Sequence, residues 1–198
     1  MATDRADDIL AYWFGDPPRP PAESCRLWFA ASPATDAEVT ARFGDDMRRA
    51  AAGRCDAWAA TPQGRLALIV LLDQFPRHVH RGTRAAFDFD CEALDVCLDG
   101  LAAGDDRHLS MIERVVFYLP LEHVEDLSLQ ARSVTLYREL LEAARPEHSQ
   151  AFGLIFDYAV RHRDIIARFG RFPHRNAILG RASTPEEVEF LKQPGSSF

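Results

Sequence analysis

The sequence predicts an all-α protein, built as a single-domain antiparallel array of helices over residues 1–198. Apolar residues recur at helical spacing through most of the chain, and no run alternates between apolar and polar residues for long enough to suggest a strand. Proline and glycine gather in short stretches that separate the helical segments. The length of 198 residues suits one domain with a substantial core.

Capping residues indicate where three of the predicted helices start. Thr3 is a candidate cap for the first helix, and Thr61-Pro62 places a capping residue before a proline at the first helical position of the third. Ser183 and Glu186 have the spacing of a capping box for the last. The predicted helices cover residues 4–14, 35–53, 62–75, 88–103, 108–118, 121–143, 148–169 and 183–191.

Proline sets several of these boundaries. The third helix is apolar nearly all round, so we expect it to be central, and Pro76 is predicted to end it. Pro120 is predicted to start the helix over 121–143. Residues 16–34 hold five prolines and are predicted to form a loop or short turns, with Trp28-Phe29 packed into the core.

Charge is distributed unevenly. Between Tyr158 and Arg181 six arginines face one acid, so this segment carries +5 in a chain of net charge −7, and the remainder carries −12. We expect the arginines to find partners among acids of the same chain, namely Asp73 and an acidic stripe formed by Glu122 and Asp126, and to leave uncompensated charge near Arg171, His174 and Arg175.

Composition excludes some classes of function. A pI near 5.5 argues against general affinity for nucleic acid or anionic membranes. We expect no signal peptide, because the first residues lack a basic and then apolar stretch, and no membrane span. The four cysteines show no Cys-x-x-Cys pair. We therefore expect free thiols and a cytoplasmic protein.

Four residues are candidate catalytic groups. On the predicted helix 121–143, Glu122, His123 and Asp126 share one polar sector of about 100° beside an apolar stripe. Asp73 lies on the apolar stripe of the central helix, so it needs a partner, for which Arg77 is the natural choice. His162 lies on an apolar helix face, where a packed core residue is the simpler interpretation. The candidates are Asp73, Glu122, His123 and His162.

The motifs resemble those of the bacterial DUF924 family over nearly the whole chain. They are Leu71-Leu72-Asp73-Gln74-Phe75-Pro76-Arg77, Phe117-Tyr118-Leu119-Pro120-Leu121-Glu122-His123 with Glu125-Asp126, Arg168-Phe169-Gly170-Arg171-Phe172-Pro173-His174-Arg175-Asn176 with Leu179-Gly180-Arg181 and Ser183-Thr184, and Tyr12-Trp13-Phe14-Gly15. His78 departs from the asparagine usual after the arginine. The resemblance implies an all-α, tetratricopeptide-like fold, and it implies no known activity.

Two classes of function stay open. The first is binding of a small anionic or polar ligand, or of a peptide or protein partner, in a groove lined by arginine and acidic residues. Its candidate ligand-binding residues are Arg77, Asp126, Arg168, Arg171, His174 and Arg175. The alternative is a small-molecule enzyme that uses the four catalytic candidates at a His/carboxylate site between helices, with or without a metal. No spacing typical of a metal site occurs, and no cofactor is predicted. A purely architectural arginine–acid network is the third interpretation, and the oligomeric state is left open.

Overall fold

The structure is a computed structural model that describes residues 2–29 and 32–197, without the side chains of residues 2–4 and 29. The described residues form helices and turns with no strand, as predicted. The α-helices are α1 (Ala2–Phe14), α2 (Pro21–Phe29), α3 (Pro33–Ala51), α4 (Pro62–Ile69), α5 (Phe75–Val79), α6 (Asp90–Ala103), α7 (Met111–His123), α8 (Leu127–Ala143), α9 (Ser149–Phe169) and α10 (Pro185–Phe190). The predicted cap at Thr3 and the burial of Phe29 fall outside the described side chains.

The central helix of the fold, predicted over 62–75, is longer than predicted. A π-helical turn, Val70–Gln74, joins α4 directly to α5, so the helix continues through Pro76 to Val79. A proline clashes with the carbonyl of residue i−4 in a regular α-helix. The π-turn changes that local geometry, and the Phe75 amide donates to the Val70 carbonyl five residues back. The prediction that Pro76 ends the helix is therefore wrong.

The predicted boundary between the helices over 108–118 and 121–143 is also wrong. α7 runs through Pro120 to His123, and α8 starts at Leu127. Gln130 donates to the carbonyls of Glu122 and Val124, which satisfies groups left open where α7 ends. Glu122 and Asp126 consequently lie on different elements and do not share a helix face.

Two smaller predictions also need correction. The prolines of 16–34 do not keep the whole segment irregular, because Pro21 occupies the first position of α2, where a missing N–H costs nothing. The capping box of the last helix is formed by Thr184 and Glu187, one residue beyond the predicted pair. The predicted cap Thr61 is confirmed, since its hydroxyl accepts from the Gly64 amide.

The core is built around α4, the π-turn and α7. Both α4 and the π-turn are buried along most of their length, and α7 is buried from Val115 to Glu122. They pack against α1, α3, α6, α8 and α9. A second, smaller apolar cluster of Ile165, Ile166 and Phe172 lies where α9 meets the segment that follows it. No helix in the described ranges has the length and apolar character needed to cross a membrane. The tetratricopeptide-like arrangement stays a prediction.

Candidate functional site

The π-turn carries a carboxylate into the core. Asp73 is completely buried, and its Oδ1 accepts a hydrogen bond from His123 Nδ1 at 2.7 Å. The Gln74 amide donates to the other oxygen, Oδ2, and Arg77 Nη2 lies 3.3 Å from Oδ1. Burial alone would raise the pKa of Asp73, but the charge of Arg77 and the contact with His123 outweigh it and hold the pKa well below its usual range. Asp73 is therefore ionised at neutral pH.

The partner histidine, His123, lies in the last turn of α7 and is partly exposed to solvent. Its side chain is 13 % exposed, whereas that of Asp73 is 0 % exposed. Burial and then the nearby Arg77 charge lower the pKa of His123. The neutral imidazole donates through Nδ1 to the Asp73 carboxylate, so Nε2 carries the lone pair and is the acceptor.

Two arginines and a second aspartate extend this pair. Arg77 Nη1 donates to Asp90 Oδ1 at 2.9 Å and to the Ala86 carbonyl at 3.0 Å. Arg175 Nη1 donates to the other oxygen of the same carboxylate at 3.3 Å. Asp73, Arg77, Asp90, His123 and Arg175 form a group that we name the polar cluster. Its members come from the π-turn, from α5, α6 and α7, and from the segment after α9.

Arg175 packs against two aromatic rings. Its guanidinium carbon lies 4.6 Å from the ring centres of Phe87 and Phe172, and its side chain is 9 % exposed. Burial and then the Arg77 charge lower the pKa of Arg175 to about 10, so the guanidinium keeps its charge at neutral pH. Its Nε is buried with no hydrogen-bond acceptor among the described residues.

A second histidine–carboxylate pair lies beside the polar cluster. His162 Nδ1 is 2.9 Å from Glu122 Oε1, and it also makes a hydrogen-bond contact of 2.9 Å with the Tyr158 carbonyl oxygen. The rings of His123 and His162 are 6.4 Å apart, and the Phe172 ring packs against His162 at 5.5 Å. Both members of this pair are buried. The Glu122–His162 pair is therefore more deeply buried than the neighbouring His123.

Carboxylates from other elements hold the segment after α9 in place through hydrogen bonds. Glu125, in the turn between α7 and α8, accepts from the Phe172 amide at 2.7 Å and from both terminal nitrogens of Arg181 at 2.6 and 2.9 Å. Glu187 of α10 binds Arg171 through both carboxylate oxygens and also accepts from Asn176. These contacts fix the short helical turn that presents Arg175.

The structure brings together residues from both predicted lists. Asp73, Arg77, His123 and Arg175 meet in the polar cluster, and the neighbouring candidates are Glu122, His162 and His174. Burial and then the Arg175 charge lower the pKa of His174 to about 4, and the His174 ring lies 5.6 Å from that of Phe172.

Three predicted ligand-binding residues lie elsewhere. Asp126 is exposed and caps α8 by accepting from the amides of Ser128 and Leu129. Arg168 pairs with Glu186 at the surface, and Arg171 is engaged by Glu187 and the Ala182 carbonyl. The internal partners expected for the arginines exist, but the acids are different ones, because the turn at 124–126 directs Glu125 rather than Asp126 towards them.

Sequence reasoning missed Asp90, which bridges the two arginines of the polar cluster. Asp90 is separated from Arg175 by 85 residues, so no local pattern links the two. Glu125 and Glu187 were missed for the same reason, since no local spacing links them to their arginines. The one available signal was the large positive excess in 158–181, which requires several acids from outside that segment.

Two grooves on the described part of the surface differ from the polar cluster in position and lining. Two shallow grooves of about 450 and 520 Å³ lie away from the polar cluster, beside α1 and α3 and near Arg54. Over residues 2–29 and 32–197, side chains of His, Cys, Asp and Glu do not converge in threes as metal ligands. The exposed large apolar side chains are Leu127, Leu154, Tyr158 and Val188.

Comparisons with known proteins agree with the fold. The chain is similar to the protein of unknown function ATU0120 from Agrobacterium tumefaciens, at 36 % identity and a TM-score of 0.84, over 97 % of this chain and 99 % of that one. No curated protein matches the chain. Residues 9–195 match the family described as bacterial proteins of unknown function, DUF924. The chain therefore belongs to the DUF924 family.

Proposed function

We propose that this protein binds a small organic anion at the polar cluster, with Arg175 as its principal donor. The observation that carries the proposal is the incomplete bonding of this buried guanidinium. Its hydrogen bond to the described part of the chain runs from Nη1 to Asp90, and its Nε is buried there without an acceptor. A buried charged donor without an acceptor is costly, so an occupant with acceptor oxygens is favoured.

The geometry around Arg175 selects the kind of occupant. The guanidinium packs on the rings of Phe87 and Phe172, so we expect a ligand to approach it through its N–H groups rather than through its faces. The Nε–Nη2 edge of arginine presents two parallel N–H groups, which match the two oxygens of a carboxylate or phosphate. Arg77 Nη2 supplies a further donor, since it lies near Asp73 without making a hydrogen bond.

We expect a ligand to reach this edge past the partly exposed side chains of the polar cluster. Exposure of the side chains rises from 9 % at Arg175 to 13 % at His123, 19 % at Asp90 and 20 % at Arg77. Neither of the two grooves is lined by residues of the cluster. A ligand of few atoms is therefore favoured over an extended chain.

Thermal unfolding in the presence of small anions tests the proposal. Acetate, propanoate and phosphate should raise the Tm of the wild-type protein above that in chloride of equal ionic strength. An anion present at 100 times its Kd adds about 2.7 kcal/mol to the stability of the folded state. Arg175→Lys keeps the charge and loses the two-pronged edge, so we expect it to abolish the anion-dependent increase.

Arg168→Lys is the matched control, because Arg168 forms an exposed pair with Glu186 far from the cluster. It should retain the full increase in Tm. If no small anion stabilises the wild type beyond chloride, or if Arg175→Lys responds as the wild type does, the anion site is refuted.

A second candidate function is acid–base catalysis on the bound anion, favoured by the Asp73–His123 contact of 2.7 Å. A buried carboxylate that fixes Nδ1 as donor leaves Nε2 to accept a proton and stabilises the imidazolium that results. Exchange of the methyl protons of pyruvate in D₂O, followed by NMR, would test this. The His123→Asn variant should lose any exchange that the wild type accelerates, and no acceleration by the wild type would refute the candidate for this probe.

A further inference from the structure

A groove of about 450 Å³ lies beside α1 and α3, away from the polar cluster. The helix α1 contributes Asp8 and Tyr12, which share one helix face because they are four residues apart. The helix α3 contributes Glu38 and Arg42, which are also one turn apart. The volume of the groove is in the range of sites for small organic molecules, and its lining is rich in charged groups.

Most charges along the groove are paired within the chain. Arg42 donates to Glu38 at 3.0 Å, and its guanidinium carbon lies 4.6 Å from the centre of the Tyr12 ring. Asp8 lies 3.3 Å from Arg5 at the surface. These pairs account for the charges that α1 and α3 contribute. The two remaining charges of the lining come from the turn that follows α1.

The first of these charges is Arg19, whose guanidinium is only partly bonded. Its stem crosses Gly15, where a Cβ would lie 3.0 Å from Arg19 Cγ. Its Nη2 donates to the carbonyls of Tyr12 and Trp13 at 2.6 and 2.9 Å, and so satisfies the end of α1. Its Nε is buried without an acceptor among the described residues. An acceptor oxygen supplied by a ligand would satisfy this charged donor.

The second charge is Asp16, which is exposed. Asp16 directly follows Gly15, the residue that the Arg19 stem crosses, so the two groups stand at the same end of the groove. Among the described residues, neither of them has an ion-pair partner within 4 Å. The groove therefore offers a positive and a negative group side by side, and each is available to a ligand of opposite charge.

We infer that this groove binds a free aliphatic α-amino acid. The ligand carboxylate accepts from Arg19, and the ligand ammonium donates to Asp16 and to the neighbouring Asp8. The apolar members of the lining, Ala11 and Leu27, contact the aliphatic side chain. A peptide carries only one of the two charges at each end, so a free amino acid matches the groove better than a peptide terminus. The inference is independent of the anion site at the polar cluster.

Titration of the full chain with L-leucine tests the inference. Isopentylamine and isocaproate are the matched probes, because each keeps the aliphatic part of leucine and lacks one of its two charges. Binding is followed by the backbone amide NMR signals of Gly15 and Leu27, so that an anion at the polar cluster is not counted. We expect each probe to bind at least about tenfold more weakly than L-leucine, since each loses one set of charge-assisted hydrogen bonds.

Two substitutions remove the charges from the protein instead. Asp16→Asn removes the negative charge at an exposed residue, and Arg19→Gln removes the positive charge but keeps an N–H that can donate to a carbonyl of α1. Each should weaken the binding of L-leucine at least about tenfold, with the fold retained by circular dichroism. Asp7→Asn and Arg26→Gln, at exposed residues that do not line the groove, are the matched controls and should bind as the wild type does.

The outcomes separate this groove from the polar cluster. Binding of L-leucine that is weakened by both substitutions and by loss of either ligand charge supports the inference. No response of the Gly15 and Leu27 amides, equal binding of isopentylamine or isocaproate, or unchanged binding in both variants overturns it. Loss of L-leucine binding in Arg175→Lys also overturns it, because that result would place the ligand at the polar cluster. The anion site itself is tested by acetate, propanoate and phosphate, whatever L-leucine does.

Discussion

The replacement Asp73→Asn removes a buried charge from the polar cluster while it changes the side-chain volume very little. In the wild type, this carboxylate accepts from His123 and Gln74 and lies 3.3 Å from Arg77 Nη2. An asparagine offers one acceptor oxygen in place of two, and its NH₂ group would face other donors. The two arginines would then share Asp90 as their remaining counter-charge within the cluster.

The expected loss of stability is large. Breaking a buried charge pair by removing one partner costs about 3–5 kcal/mol, because the other charge stays buried. For a domain of this size, 1 kcal/mol shifts the Tm by about 2–4 °C. We therefore expect Asp73→Asn to lower the Tm by about 6–20 °C at pH 7, measured by thermal unfolding and by urea titration.

The pH dependence gives a second, independent measurement. The pKa of Asp73 is lower in the folded state than in the unfolded chain, where an aspartate titrates near 3.9. Its contribution is therefore present above about pH 4 and is lost as the pH falls towards the folded-state value. The difference in stability between the wild type and Asp73→Asn should narrow below about pH 4. The variant should also lower the pKa of His123 further, since Asp73 favours the charged imidazole.

Asp126→Asn makes the same chemical change at an exposed helix cap, where asparagine caps as well as aspartate. It should leave the Tm nearly unchanged. A loss of less than about 1 kcal/mol in Asp73→Asn, or a gap to the wild type that stays constant down to pH 3, would show that Asp73 is not the counter-ion of Arg77.

Two further predictions concern packing and thiols. Gly64→Ala should destabilise the protein by about 1–3 kcal/mol in urea titration, because a Cβ there would lie 2.2 Å from the Trp58 carbonyl oxygen. Gly153→Ala in α9 meets open space and should instead stabilise by about 0.5–1 kcal/mol, and equal effects of the two changes would contradict the packing argument. In the native protein Cys91 should react fastest with a thiol reagent, since it is exposed, whereas burial raises the pKa of Cys55 and Cys97. Cys91→Ser should remove the fast phase, and a fast phase that persists would place a reactive thiol elsewhere.

Prolines show why helix boundaries were the weaker part of the sequence analysis. Pro76 and Pro120 both carry a local signal for a helix end or start, and in both places the helix continues through the proline. At Pro76 a π-turn changes the geometry of the helix, and burial of the surrounding apolar residues stabilises the continuous rod. No sequence pattern weighs that tertiary packing against the local cost of a proline.

Some residues of the candidate site could be identified from local spacing, and others only from tertiary contacts. Asp73 was identified from its place on an apolar stripe, and that inference needed only helical periodicity. Its expected partner Arg77 was identified because the two lie four residues apart. His123 was selected as part of the predicted helix 121–143, whereas it ends α7, and it meets Asp73 because the end of α7 packs against the π-turn. The contact between Asp90 and Arg175 has no local sequence signal, because it forms only in the folded structure.

The helical class, the central position of the helix around 66–75 and the need for internal partners of the arginine-rich segment all follow from periodicity and charge, which are properties of neighbouring residues. The choice of acid for each arginine, the end of α7 and the burial of Arg175 with an unsatisfied Nε depend on tertiary packing. The Asp73–His123 and Asp90–Arg175 contacts, for example, join residues 50 and 85 positions apart, and local spacing does not encode such contacts.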